Sequence, residues 1–67
     1  MCLSTVFRDS GNRHEEVMRD VAQMNAERDG FLLINLFGEQ MFVRGKIKHL
    51  DFVDEHSVVI EEDRQET

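Results

Sequence analysis

Apolar and polar residues fall along this chain in short runs parted by glycine and aspartate, a rhythm of strands rather than long helices. Cys2 to Arg8 reads CLSTVFR, and its Thr, Val and Phe favour a strand. Asp9 to Asn12 is a turn cluster in which Gly11 can supply a positive φ, so the first two elements are expected to form a hairpin. Arg28-Asp29-Gly30 is a second turn. It leads into FLLINLF, Phe31 to Phe37, an apolar run with the look of a strand covered on both faces. Phe37-Gly38-Glu39 reads as a hairpin loop, and Gln40 to Arg44 as the returning strand. Gly45 interrupts a further extended run, KIKHLDFV, as glycine does at a bulge or a barrel corner. Asp54 to Ser57 is a polar turn, and Ser57 to Glu61 is the last strand. Residues 62–67 are charged and lack core side chains, which predicts a frayed tail behind a single domain at 1–61.

The stretch HEEVMRDVAQMNAE, from His14, admits two readings. Val17, Val21 and Met24 fall at helical spacing, with Met18 and Ala22 beside them. Read as strands, Glu16–Asp20 and Ala22–Ala26 carry the hairpin onward. Periodicity does not choose between them, and no N-cap residue directly precedes the apolar series. The spacing of strands and turns elsewhere predicts one small antiparallel barrel of the SH3-like kind, with about five to seven short strands.

Size and charge narrow the possibilities. A domain of 67 residues buries a low fraction of its surface and usually needs a staple, a metal or a partner subunit. The single cysteine excludes an internal disulfide, which favours a metal or a homodimer. Eight Lys+Arg against fourteen Asp+Glu give a net charge of −6, the wrong sign for general affinity to phosphate backbones. No apolar run is long enough to span a membrane, and the N-terminus does not read as a secretory signal. A free thiol in that context points to the reducing cytoplasm.

Five stretches stand out: Met1-Cys2-Leu3-Ser4-Thr5-Val6-Phe7, Glu15 to Val21, Leu36-Phe37-Gly38-Glu39, Gly45 to Phe52 and Val58-Val59-Ile60-Glu61. Together they resemble the CooT family, small nickel-binding accessory proteins associated with carbon monoxide dehydrogenase maturation. The order and spacing hold over nearly the whole chain. Phe7 stands where the family often has tyrosine, and His49 where an acidic residue is common. The resemblance implies a compact β-barrel that pairs as a homodimer, a strand reading for 14–26, and one functional position, Cys2.

Cys2 is well placed for that role. A thiolate is a soft ligand for late divalent metals. Its sulfur and its own backbone nitrogen can close a five-membered ring around one ion, with the Met1 nitrogen next along the chain. A two-fold dimer would double the pair into two sulfurs and two nitrogens, a planar set that suits Ni(II) or Cu(II) better than zinc. The expected cargo is one Ni(2+) per homodimer, passed to or stored for a nickel enzyme or its maturation machinery. The competing expectation is an interaction or RNA-binding barrel in which Cys2 is a small packed apolar residue.

Other residues carry less. His14, His49 and His56 are scattered. His14 is the best placed of them, because a hairpin could bring it beside the first strand. Arg44, Lys46 and Lys48 alternate, which reads either as a phosphate-binding stripe or as a solvated face, and no aromatic residues interleave with them to stack bases. Glu15-Glu16 and Glu61-Glu62-Asp63 read as solvated charge, and the methionines other than Met1 as core filler. No catalytic constellation is present, so the chain is expected not to be an enzyme.

Overall fold

The computed structural model describes residues 3–62, so Met1, Cys2 and residues 63–67 lie outside the described residues. Among the described residues there are six strands and no helix: β1 (Ser4–Ser10), β2 (Arg13–Ala26), β3 (Gly30–Asn35), β4 (Gln40–Arg44), β5 (Lys46–Asp51) and β6 (Ser57–Glu61). They form one sheet in the order β4-β3-β2-β1-β6-β5. The expectation of a small all-β fold of five to seven strands is met. All neighbouring pairs are antiparallel except β1 and β6, which run parallel from Thr5↔Ser57 to Asp9↔Glu61.

The segment that imitated a helix is the long strand β2. Its register slips twice against β1, where Val21 and Met18 face Ser4 and Val6, and Met18 and Glu16 face Val6 and Phe7. It slips once more against β3, between Val21 and Gln23. Each slip puts an extra residue on β2, as a bulge does. Asp20 takes a left-handed φ of 54° within this bend. The bulges let Val17 and the adjacent Met18 both pack on the core, as Val21 and Met24 do. A strict strand would alternate them, so the helical spacing is the trace of a bent strand.

The bend hands β2 from β1, its partner over Arg13–Val21, to β3, its partner over Val21–Ala26. The core lies on the concave side of the curved sheet. It comprises Val6, Val21, Leu33, Val43, Val58 and Ile60, all buried. The two edge strands, β4 and β5, are consecutive in the chain through Gly45 alone, so the sheet must coil until its edges meet there. Gly45 has φ 143°, and its N–H donates to the Asp29 carbonyl at 3.0 Å. It is the corner its position in the sequence suggested.

Two expectations change. The run Phe31 to Phe37 is not covered along its length: β3 ends at Asn35, and Leu36 and Phe37 lie exposed in the β3–β4 turn. The buried Asn35 builds that turn. Its Oδ1 accepts the N–H groups of Phe37 (3.0 Å) and Glu39 (2.9 Å), and its Nδ2 donates to Glu39 Oε1 at 2.6 Å. Arg44, Lys46 and Lys48 do not form a stripe on one strand. Gly45 divides Arg44 from Lys46, and the β5 bulge between Ile47 and His49 breaks the alternation at Lys48.

Candidate metal centre and its surroundings

The sequence places the metal donors at Cys2 and the Met1 backbone nitrogen, both outside the described residues. The described chain begins at Leu3, and its first strand pair sets Ser4 opposite Val21. The Thr5 N–H donates to the His56 carbonyl at 3.0 Å, which fastens the start of β1 to the β5–β6 loop. A groove of about 240 Å³ opens there, lined by Ser4, Val21, Met24, Leu50, Phe52 and Val58 among others. Phe52 and Val53, in the loop beyond β5, are exposed, Val53 at 83%. The surroundings of the chain start are therefore apolar.

The β5–β6 loop is held in shape by Asp51. Its Oδ1 accepts the N–H groups of Val53 and Asp54, both at 3.0 Å. These backbone donors at Asp54 and Val53 favour the charged carboxylate and hold Asp51 below its usual range. His56 closes the loop with a left-handed φ of 51°, a conformation histidine tolerates better than most residues.

His14 does come beside the first strand, but at the far end of β1, opposite Asp9. Its Nδ1 contacts Asp9 Oδ1, and its ring stacks on Phe7 at a centroid distance of 4.9 Å. Lys48 Nζ donates to Asp9 Oδ2 at 2.9 Å, so one carboxylate ties β1 to both β2 and β5. Lys48, then His14, pulls the Asp9 carboxyl below its ordinary value, and Asp9 in turn raises Lys48. One residue along, Arg8 Nη2 donates to Glu15 Oε1 at 2.8 Å and lowers the Glu15 carboxyl. Both clusters are ion pairs with their charge already compensated, and His14 belongs to the Asp9 cluster rather than to the chain start. Among the described residues no three His, Cys, Asp or Glu side chains converge as a metal cage. The metal reading thus rests on the N-terminal donors.

Sequence reasoning missed the exposure of Leu50 and Phe52. Their alternation in KIKHLDFV marked one strand, but the strand ends at Asp51, which leaves Phe52 in the loop, and nothing in the pattern told that Leu50 would stand on an edge with no neighbour to cover it.

A six-stranded sheet with an apolar groove at the start of its first strand defines a small all-β protein. The chain belongs to the CooT family: the model of that family, CO dehydrogenase accessory protein CooT, matches residues 1–61. A crystal structure from Carboxydothermus hydrogenoformans that carries the CooT name is similar at 30% identity, with a TM-score of 0.83. The similarity covers 94% of this chain and 100% of that one. No curated protein matches the chain. Among the described residues no helix is long and apolar enough to cross a membrane.

Proposed function

We propose that this protein is a cytoplasmic, non-enzymatic Ni(II) carrier or store, serving the maturation of a nickel enzyme such as carbon monoxide dehydrogenase. Membership of a family of accessory proteins to that enzyme, over a match that includes Cys2, carries the reading. The Cys2 thiolate and backbone nitrogen, with the Met1 nitrogen adjacent, bind the ion. Two chains contribute one such set each, so a homodimer takes up a single Ni(2+). Soft sulfur and strong-field nitrogen in a plane match the preference of this ion. The apolar surroundings of the chain start support the dimer: a second copy seated on the groove by Phe52 and Val53 would remove that surface from water and bring two N-termini together.

Nickel titration of the purified protein tests this. Thiolate-to-metal charge-transfer absorption should saturate at one ion per two chains, and Cys2→Ser should abolish it while leaving a folded dimer. Undiminished stoichiometric binding in that variant refutes the assignment.

A further inference from the structure

Three side chains reveal a gap in the wall of the fold. Met41 on β4 is paired with Leu33, Ile47 on β5 with Ile60, and Leu50 on β5 with Val58. Directly opposed residues of an antiparallel pair share a face, so all three point to the side on which their partners form the core. Leu33 and Ile60 are 0% exposed and Val58 6%, yet Met41, Ile47 and Leu50 are 43%, 44% and 45% exposed. The difference has one cause. The sheet order ends at β4 on one side and β5 on the other, and these edges meet only at Gly45. Beyond that corner no ladder joins them, and the inward side chains of both edges stay partly open to solvent.

The seam also carries a charge unlike that of the rest of the chain. The two edge strands hold Arg44, Lys46 and Lys48 against one acid, Asp51, although the whole chain has fourteen acids to eight Lys+Arg. Asp51 is turned to the amides of its own loop, and Lys48 is held by Asp9. Arg44 and Lys46 flank Gly45 and have no ion-pair partner among the described residues. An edge strand offers unpaired backbone donors and acceptors that an extended chain can complete.

We infer that the seam between β4 and β5 docks an extended segment of a partner protein in which apolar and acidic residues alternate. Its backbone pairs with an edge strand. Its apolar side chains cover Met41 and Ile47, and its carboxylates meet Arg44 and Lys46, while Leu50 belongs to the groove at the chain start. A second copy of this chain fits less well, because its net charge of −6 is concentrated outside the edge strands while the edges themselves repel like edges.

The probes are two short synthetic peptides, one alternating valine with glutamate and one alternating valine with lysine, presented to the full chain. The glutamate peptide should bind and protect amides of β4 and β5 from hydrogen exchange, with the lysine peptide at least about tenfold weaker. Ile47→Lys should weaken glutamate-peptide binding by a similar factor while nickel uptake stays at its wild-type stoichiometry, since Ile47 does not line the groove at the chain start. The pair Arg44→Glu and Lys46→Glu, which alters only exposed side chains, should reverse the peptide preference. Absence of binding by the glutamate peptide, equal binding of both peptides, or seam amides already protected in a peptide-free dimer would each overturn the inference.

Discussion

Gly45 passes so close beneath Glu61 that a Cβ built on it would stand 2.2 Å from the Glu61 carbonyl oxygen. No carbon tolerates that approach, and the backbone there has φ 143°, where a side chain adds strain of its own. The contact is what lets β4 turn directly into β5 and brings the two edges of the sheet to one point. Gly45→Ala should therefore cost roughly 2–4 kcal/mol of stability. Gly38, with φ 85° in the β3–β4 turn, provides the contrast, because a Cβ there meets nothing within 4 Å. Gly38→Ala should cost only about 1 kcal/mol. Urea unfolding of the two variants compares them directly, and equal losses would show that the Gly45 corner is not under steric constraint.

Asn35 supports the turn between β3 and β4 with three side-chain hydrogen bonds from a buried position. Asn35→Ala leaves the Phe37 and Glu39 N–H groups without that acceptor and should destabilise by about 2–3 kcal/mol. Asn35→Asp retains the acceptor oxygen but sets a carboxylate against Glu39, so it should recover stability only when Glu39→Gln is added. A double-mutant cycle by thermal unfolding measures this coupling.

Stability should fall on acidification. Lys48 and then His14 lower Asp9, Arg8 and then Arg13 lower Glu15, and the amides of Asp54 and Val53 lower Asp51. A carboxylate depressed by folding contributes stability above its unfolded value, near pH 4, and loses that contribution as pH falls through its folded value. The melting temperature should thus be flat from about pH 7 to 5 and drop below about pH 4. Asp9→Asn and Glu15→Gln should each flatten the acid limb, and an unchanged limb in both would exclude these pairs as its origin. All three groups are only partly buried, and solvent screening keeps each effect modest.

Histidine variants separate the N-terminal donors from the rest of the chain. His14→Ala should leave nickel stoichiometry unchanged, because its imidazole sits on Asp9 and Phe7 at the far end of β1. It should lower stability slightly through loss of the stacking and of the Asp9 contact. Calorimetric titration with nickel reads the first effect and urea unfolding the second, and loss of half the bound metal would move the site away from the chain start.

The strands themselves were legible in the sequence. β-branched and aromatic runs, with turn residues at Gly11, Gly30 and Gly38, placed five of the six elements and the corner at Gly45, since these are local preferences of backbone and side chain. The resemblance carried by the chain start and the last two strands likewise pointed to the family that the comparison then showed. The course of β2 was not legible. Its bulges at Met18 to Gln23 arise because one strand must serve β1 and then β3, a demand made by the coiling of the whole sheet. The parallel β1–β6 pair, the turn-out of Leu36 and Phe37, and the removal of Lys48 from the basic stripe to Asp9 have the same origin. So does the exposure of Met41, Ile47 and Leu50: the bulge at Lys48 sets Ile47 and Leu50, three residues apart, on one face, and no neighbouring strand covers it. Which strand receives a neighbour, and which is left at an edge, depends on contacts between residues far apart in the chain, and local pattern carries no record of them.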